Sequence, residues 1–460
     1  MSTSTATSFD RRPLIALSVG WFMVIVDSTI INVALPGIGR DLSAPLSSLQ
    51  WVVDAYVVTF AGLLLTAGWL GDRIGSRKAF LAGLALFGLA SVGCALAPGL
   101  AVLIVARIVQ GVGAAMVVPA SLALVQATYT ERDSRARAVT IWALVGGVAG
   151  GLGPLLGGVL TGAFNWRAMF WINIPFALAG LWLVRRYIAA ETDAARENRP
   201  PLDIAGQFIG AVALLAITAA VVESGRLGWT STLPLTLYAV SLAAITTLIG
   251  IESHARHPLL SPVLFADRSL VGSLGVGLFI NLAYYGSLFA LALHLQRTYH
   301  FGSLATGLAL VPQTAATIIG TWFGGNLNRR YGPRRPMQVG LPAGIAGLVT
   351  VGLLSTNVPY PVLILPMAAS GLGISFSMVA ATTAVVEAAP SGQAGIASGV
   401  LNAARQVGGA LGVALLGALL IHSARLSLLV GAAAYGAALL CSFIVRPGKQ
   451  HPTGLRSSMG

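Results

Sequence analysis

Of the 15 acidic residues in the 460-residue chain, only Asp27 and Asp54 fall well inside long apolar stretches. Apolar surroundings disfavour the charged form of a carboxyl, and a nearby guanidinium favours it. A carboxyl set between those influences can take up and release a proton as its surroundings change. Two basic residues, Arg107 and Arg405, also lie within apolar stretches. Asn32, Gln110, Asn281, Tyr284, Tyr285, Asn402 and Gln406 join Arg405 as polar or aromatic residues that could line a cavity for a flat apolar molecule. Asn281, Tyr285 and Phe289 are spaced by four, so they share one helical face. For each of these, packing or interhelical hydrogen bonding is the competing reading.

Other chemistries find little support. Cys94 and Cys441 sit in apolar runs without the spacing of a metal site or a disulfide framework. The two lysines are Lys78 and Lys449, and the one Gly-Lys pair, Gly448-Lys449, is followed by Gln450. A phosphate-binding P-loop requires Ser or Thr there. The expectation is no enzyme, no metal and no cofactor, with an ion gradient or a partner as the source of energy for any uphill movement of solutes.

The elements that must position these residues follow from composition. The chain is 56% hydrophobic and 9% charged, whereas a soluble domain carries about 25% charged residues. A water-soluble globule of this size could not cover its surface with so few charges, and disordered chains are poor in apolar residues. A polytopic all-α membrane protein remains. A spanning helix takes about 20 mostly apolar residues, and fourteen such runs occur, the first at 14–35 and the last at 426–445.

The net charge of +13 would suggest nucleic acid in a soluble protein. Placed between the runs, with sides alternating, it reads differently. Of the 28 basic residues, 21 fall on one side, 5 on the other, and Arg107 and Arg405 lie within runs. This bias is the positive-inside rule and predicts an even helix count with both termini cytoplasmic. In that frame Asp27 lies nine residues before Pro36, about 13 Å from the outer end of its helix at 1.5 Å per residue. Arg107 lies eight residues after Gly99, at about 12 Å. The depths match, so Arg107 is the expected partner of Asp27, either as a static salt bridge or as part of a proton relay. Asp54 is placed near the outer end of the second helix, either solvated at the rim or coupled to proton movement.

An internal repeat is visible. Gly68-Trp-Leu-Gly-Asp72-Arg73-Ile-Gly75-Ser-Arg77-Lys78 follows the second run, and Gly325-Asn-Leu-Asn-Arg329-Arg330-Tyr-Gly332-Pro-Arg334-Arg335 follows the tenth. Two similar halves with an inserted helix pair explain the offset of eight helices. In the fifth run Gly146, Gly150, Gly153 and Gly157 share one face, where a neighbouring backbone can approach closely. Pro154 can kink that helix.

These segments resemble the motifs of the major facilitator superfamily. Gly68 to Lys78 is similar to motif A. Arg107-Ile-Val-Gln110-Gly111-Val-Gly113 is similar to motif B. Gly146 through Gly153-Pro154-Leu-Leu-Gly157-Gly158 is similar to motif C, the antiporter motif. Asp27-Ser-Thr-Ile-Ile-Asn32-Val-Ala-Leu-Pro36 and Gly395-Ile-Ala-Ser-Gly399-Val-Leu-Asn402-Ala-Ala-Arg405-Gln406 resemble signatures of the fourteen-helix drug:proton antiporters, of the methylenomycin A resistance type. The resemblance implies two six-helix bundles, 1–186 and 269–460, with two extra central helices in 187–268. It implies a cytoplasmic latch at Gly68, Asp72, Arg73, Gly75 and Arg77, the acidic member absent from the second copy, where Arg329 stands. It also implies proton coupling through Asp27, Arg107 and Asp54, and a glycine surface that lets the halves rock while sealing against leak. The implied activity is export of small amphipathic or lipophilic drugs or antibiotics across the bacterial inner membrane, with protons and the bilayer as partners and no nucleic acid. Proton-coupled uptake, export of a specific metabolite, or a non-transporting sensor are the alternatives. The oligomeric state is not legible. Asp267 and Glu387 are the acids of the C-terminal half and neither is deep, so neutral, anionic or singly charged amphiphiles fit better than dications.

Overall fold

The apolar runs become helices whose ends are set by residues visible in the sequence. In the computed structural model, residues 9–189, 204–254, 267–354, 358–389 and 394–447 are described. The first bundle holds α1 (Arg12–Asp41), α2 (Leu46–Ile74), α3 (Ser76–Ala95), α4 (Leu100–Thr128), α5 (Arg132–Ala163) and α6 (Ala168–Tyr187, interrupted at Ile172). Then come α7 (Ile204–Leu227) and α8 (Thr232–His254). The second bundle holds α9 (Arg268–Thr298), α10 (Ser303–Tyr331, interrupted at Leu310), α11 (Arg334–Leu354), α12 (Tyr360–Ala388), α13 (Ala394–Leu420) and α14 (Ala424–Ser442). Thirteen of these are long and apolar enough to cross a membrane. The 29-residue α2 completes the fourteen.

Local chemistry fixes several boundaries. Pro13 stands in the first turn of α1, where a missing N–H costs nothing. Asp267 caps α9 by accepting from the backbone N–H groups of Ser269 and Leu270, and Ser423 caps α14 through the Leu426 N–H. Gly75 between α2 and α3 has φ +96°, and Gly332 between α10 and α11 has φ +76°. The glycine shared by the two repeats is therefore one that a side chain would strain.

Helices α1–α6 pack among themselves, as do α9–α14. Helix α7 lies against both α2 and α13, and α8 packs on α7. Large apolar side chains face outward all around the molecule, among them Leu89, Phe164, Trp182, Phe208, Leu242, Leu365 and Leu440. A surface of that kind is stable in lipid rather than water.

The two bundles meet along α5–α10, α2–α13 and α1–α9. Gln296 of α9 donates to the Val33 carbonyl of α1 at 2.9 Å. Gln50 of α2 donates to the Ala414 carbonyl of α13 at 3.2 Å. These contacts join the bundles at the end that the basic-residue count assigns to the outside. Beyond them, a cavity of about 600 Å³ is lined by residues of both bundles, including Pro36, Arg40, Leu293 and Arg297.

Candidate functional site

Asp27 of α1 points into the first bundle. Its side chain and that of Arg107 on α4 are fully buried and form an ion pair. Gln110, one turn after Arg107, donates to Asp27 Oδ1 at 3.0 Å. Asn173 of α6 donates to the same oxygen at 2.8 Å. Ser91 of α3 accepts from both amides, at 2.8 Å from Gln110 and 3.2 Å from Asn173. One carboxylate thus ties together α1, α4 and α6, with α3 behind them.

Arg107 is held from several helices, with Nη2 alone buried and lacking a hydrogen-bond partner among the described residues. Its Nε donates to the Val52 carbonyl of α2 at 2.9 Å, Nη1 reaches Gln110 Oε1 at 2.8 Å, and the guanidinium lies 4.2 Å from the Tyr56 ring centroid. Two charges in a low-dielectric interior persist only with this density of hydrogen bonds. The depth argument from Pro36 and Gly99 therefore located a real contact. Gln110, expected in a substrate cavity, belongs to this cluster instead. Asn173 and Ser91 escaped sequence reasoning. A lone amide inside the apolar stretch Met169–Pro175 was the available signal for Asn173, while Ser91 had none.

Of the two readings open for Asp54, solvation at the rim is excluded. It is fully buried, and among the described residues neither carboxylate oxygen has a hydrogen-bond partner. It lies one helical turn from Gln50, the residue that ties α2 to α13.

The antiporter motif on α5 has two working faces. Gly146, Gly153 and Gly157 abut Trp21, Thr29 and the Ile30 carbonyl of α1, and a Cβ at Gly150 would meet Ile25 at 3.6 Å. The face expected from spacing therefore packs within its own bundle. The surface between bundles is the other one. A Cβ on Gly158 would meet Ser303 O at 2.8 Å and Gly307 Cα at 3.0 Å of α10, and one on Gly307 would meet Pro154 O at 2.7 Å. In the second bundle α13 repeats the arrangement, with Gly408 and Gly412 against the Leu278 and Leu282 carbonyls of α9.

At the latch, Gly68 lies near Pro119 of α4, and Arg77 donates to the Arg185 carbonyl at 3.4 Å. Arg73 is exposed. The Asp72 side chain lies outside the described residues.

The remaining cavity candidates separate. Asn32 and Asn281 donate to carbonyls of their own helices, Thr29 and Gly277, and Tyr284 is buried. Tyr285 is half-buried beside Gly409 of α13. Asn402 and Gln406 are half-buried on α13. Arg405 is buried and reaches α12, donating to the Met378 carbonyl at 2.9 Å and the Thr382 hydroxyl at 2.7 Å. Arg405 with Asn402 and Gln406 on α13, and Tyr285 on α9 beside Gly409, give the second bundle a polar region of its own.

Fourteen apolar helices, twelve of them in two six-helix bundles, with buried charge and glycine-lined seams between helices, define a polytopic membrane protein of the transporter kind. A sequence profile of the Major Facilitator Superfamily matches residues 17–413 and 277–457, and the chain belongs to that family. It is 34% identical to the methylenomycin A resistance protein of Streptomyces coelicolor over 95% of this chain and 92% of the relative. It is 34% identical to the tetracenomycin C resistance and export protein of Streptomyces glaucescens over 90% and 77%. The human organic anion transporter MFSD10 (TETRAN) superposes with a TM-score of 0.65 at 18% identity, covering 95% of this chain and 99% of that one, which establishes a shared fold.

Proposed function

We propose that the protein exports small amphipathic drugs or antibiotics across a bacterial inner membrane, by alternating access driven by inward proton movement. The observation that carries the coupling is the buried Asp27 cluster. A proton arriving at Asp27 weakens its attraction to Arg107 and removes an acceptor from Gln110 and Asn173. Those donors sit on different helices, so a local protonation changes the packing of α1 against α4 and α6. Helix α1 is also the partner of α5 through the antiporter glycines, and α5 forms a seam with α10. Movement of α1 is thereby passed to the contact between bundles. Asp54, buried beside the α2–α13 seam, is the second candidate for carrying a proton.

The names of the relatives support export: resistance to, and export of, antibiotics by proteins matched over most of the chain. In this reading both termini are cytoplasmic and the seam described above closes the outer side. The test uses a pump-deficient bacterial host and membrane vesicles of both orientations. The wild type is expected to lower drug susceptibility and to accumulate substrate in energised inverted vesicles. Asp27→Asn is expected to insert normally and to lose uphill transport. Undiminished uphill transport by that variant would remove Asp27 from the mechanism. Accumulation in right-side-out vesicles alone would reverse the direction.

A further inference from the structure

Arg405 is 8% exposed, and its partners, Met378 O, Thr382 Oγ1 and Asn402 Oδ1, are all uncharged. Its Nε is buried with no acceptor among the described residues, as is Nη2 of Arg107. Among the described residues no carboxylate forms an ion pair with it. A buried cation without a counter-charge is costly, and Arg107 in the other bundle has Asp27 to offset that cost. The hydrogen bonds to α12 hold the Arg405 guanidinium in place but leave its charge uncompensated.

The outer end supplies an independent observation. Arg167 is neutralised by Asp41 at 2.6 Å and Arg226 by Glu223 at 2.7 Å. Arg40 of α1 and Arg297 of α9 instead line the 600 Å³ cavity between the bundles together with His300, and no acidic residue is among the lining. Outward-facing basic residues run against the positive-inside rule, and here two of them, one from each bundle, gather at one opening.

The geometry points to a cargo that carries a negative charge: a flat amphiphile whose carboxylate or equivalent anionic group is bound by Arg405, and which leaves past Arg40 and Arg297. Tyr285 offers an aromatic face beside Gly409, and the half-buried Asn402 and Gln406 supply polar contacts. A guanidinium presents forked donors matched to a carboxylate. This inference rests on the export reading for the cargo's direction, though not for its charge.

The test is equilibrium binding to the purified full-length protein in nanodiscs of uncharged lipid. The probes are 1-naphthylacetate and 9-anthracenecarboxylate, each beside its uncharged amide. The wild type is expected to bind the acids at least about tenfold more tightly than the amides, the scale of a charge-assisted hydrogen bond. Arg405→Gln is expected to lose that preference and Arg405→Lys to keep part of it. Equal binding of acid and amide by the wild type, no saturable binding of either acid, or an undiminished preference in a folded Arg405→Gln protein would each overturn the assignment. The first comparison uses the unmodified protein, so it stands even where a variant fails to fold. Energised inverted vesicles separate the two readings. Preferential acid binding without uphill movement of the acids, the amides or a monocationic dye would overturn export while leaving the anion site.

Discussion

Among the described residues each bundle buries one arginine, and the two are treated in opposite ways. Arg107 is locked between a carboxylate, a glutamine, a backbone carbonyl and a tyrosine ring. Arg405 is steadied by uncharged oxygens and has no counter-ion among the described residues. The first arrangement balances its charge within the protein, although Arg107 Nη2 is buried without a hydrogen-bond partner among the described residues, and in the proposed mechanism a proton is what changes it. The second is incomplete, so it is suited to receiving a group that the protein itself does not supply. In the proposed mechanism the similar bundles divide the work, with the coupling charge in one and the recognition charge in the other.

The sharpest way to break this comparison is at Asp27. Asp27→Asn is expected to reduce proton-driven export in vesicles by about a hundredfold or more, since one proton-transfer group typically contributes 10²–10⁴-fold. Passive binding of drug should survive. Next in size is the stability contrast between the arginines. Arg107→Leu leaves Asp27 as an unpaired buried charge and is expected to cost about 3–5 kcal/mol. Arg405→Leu strands no opposite charge and is expected to cost about 1–2 kcal/mol. Thermal unfolding of both variants in the same detergent checks the order, and equal losses would mean that Arg405 has a counter-charge after all.

A smaller effect is expected at the seams. Gly158→Ala places a methyl against the backbone of α10, whereas a Cβ on Gly147, also on α5, meets nothing nearer than Thr321 at 4.0 Å. Export should fall in the first and stay near wild type in the second, measured as dye efflux from whole cells. The smallest change is Asn173→Ala, which removes one donor from Asp27 while Gln110 and Arg107 remain. A loss of about 1–2 kcal/mol in stability, with reduced but measurable export, is the expected result.

The sequence alone determined the class of the protein and the frame in which its charges are read. Fourteen runs of spanning length follow from the cost of placing polar groups in hydrocarbon, and the bias of 21 basic residues to 5 follows from the separate rule that short loops on one side carry the positive charge; both are local properties of segments. The pairing of Asp27 with Arg107 was legible for a similar reason: depth in a bilayer can be counted in residues from a helix end. The repeated glycine at 75 and 332 was visible as a letter, and its positive φ explains it. What could not be counted was rotation about the helix axis and choice of neighbour. Those decided that Gln110 faces Asp27 rather than a cavity, and that Asn173, far along the chain, supplies another donor. They also set Asp54 in a buried position next to a seam, and turned the four spaced glycines of α5 toward α1 while Gly158 met α10. Depth is written in one dimension, but contact is set by how whole helices pack, and only the tertiary structure fixes that.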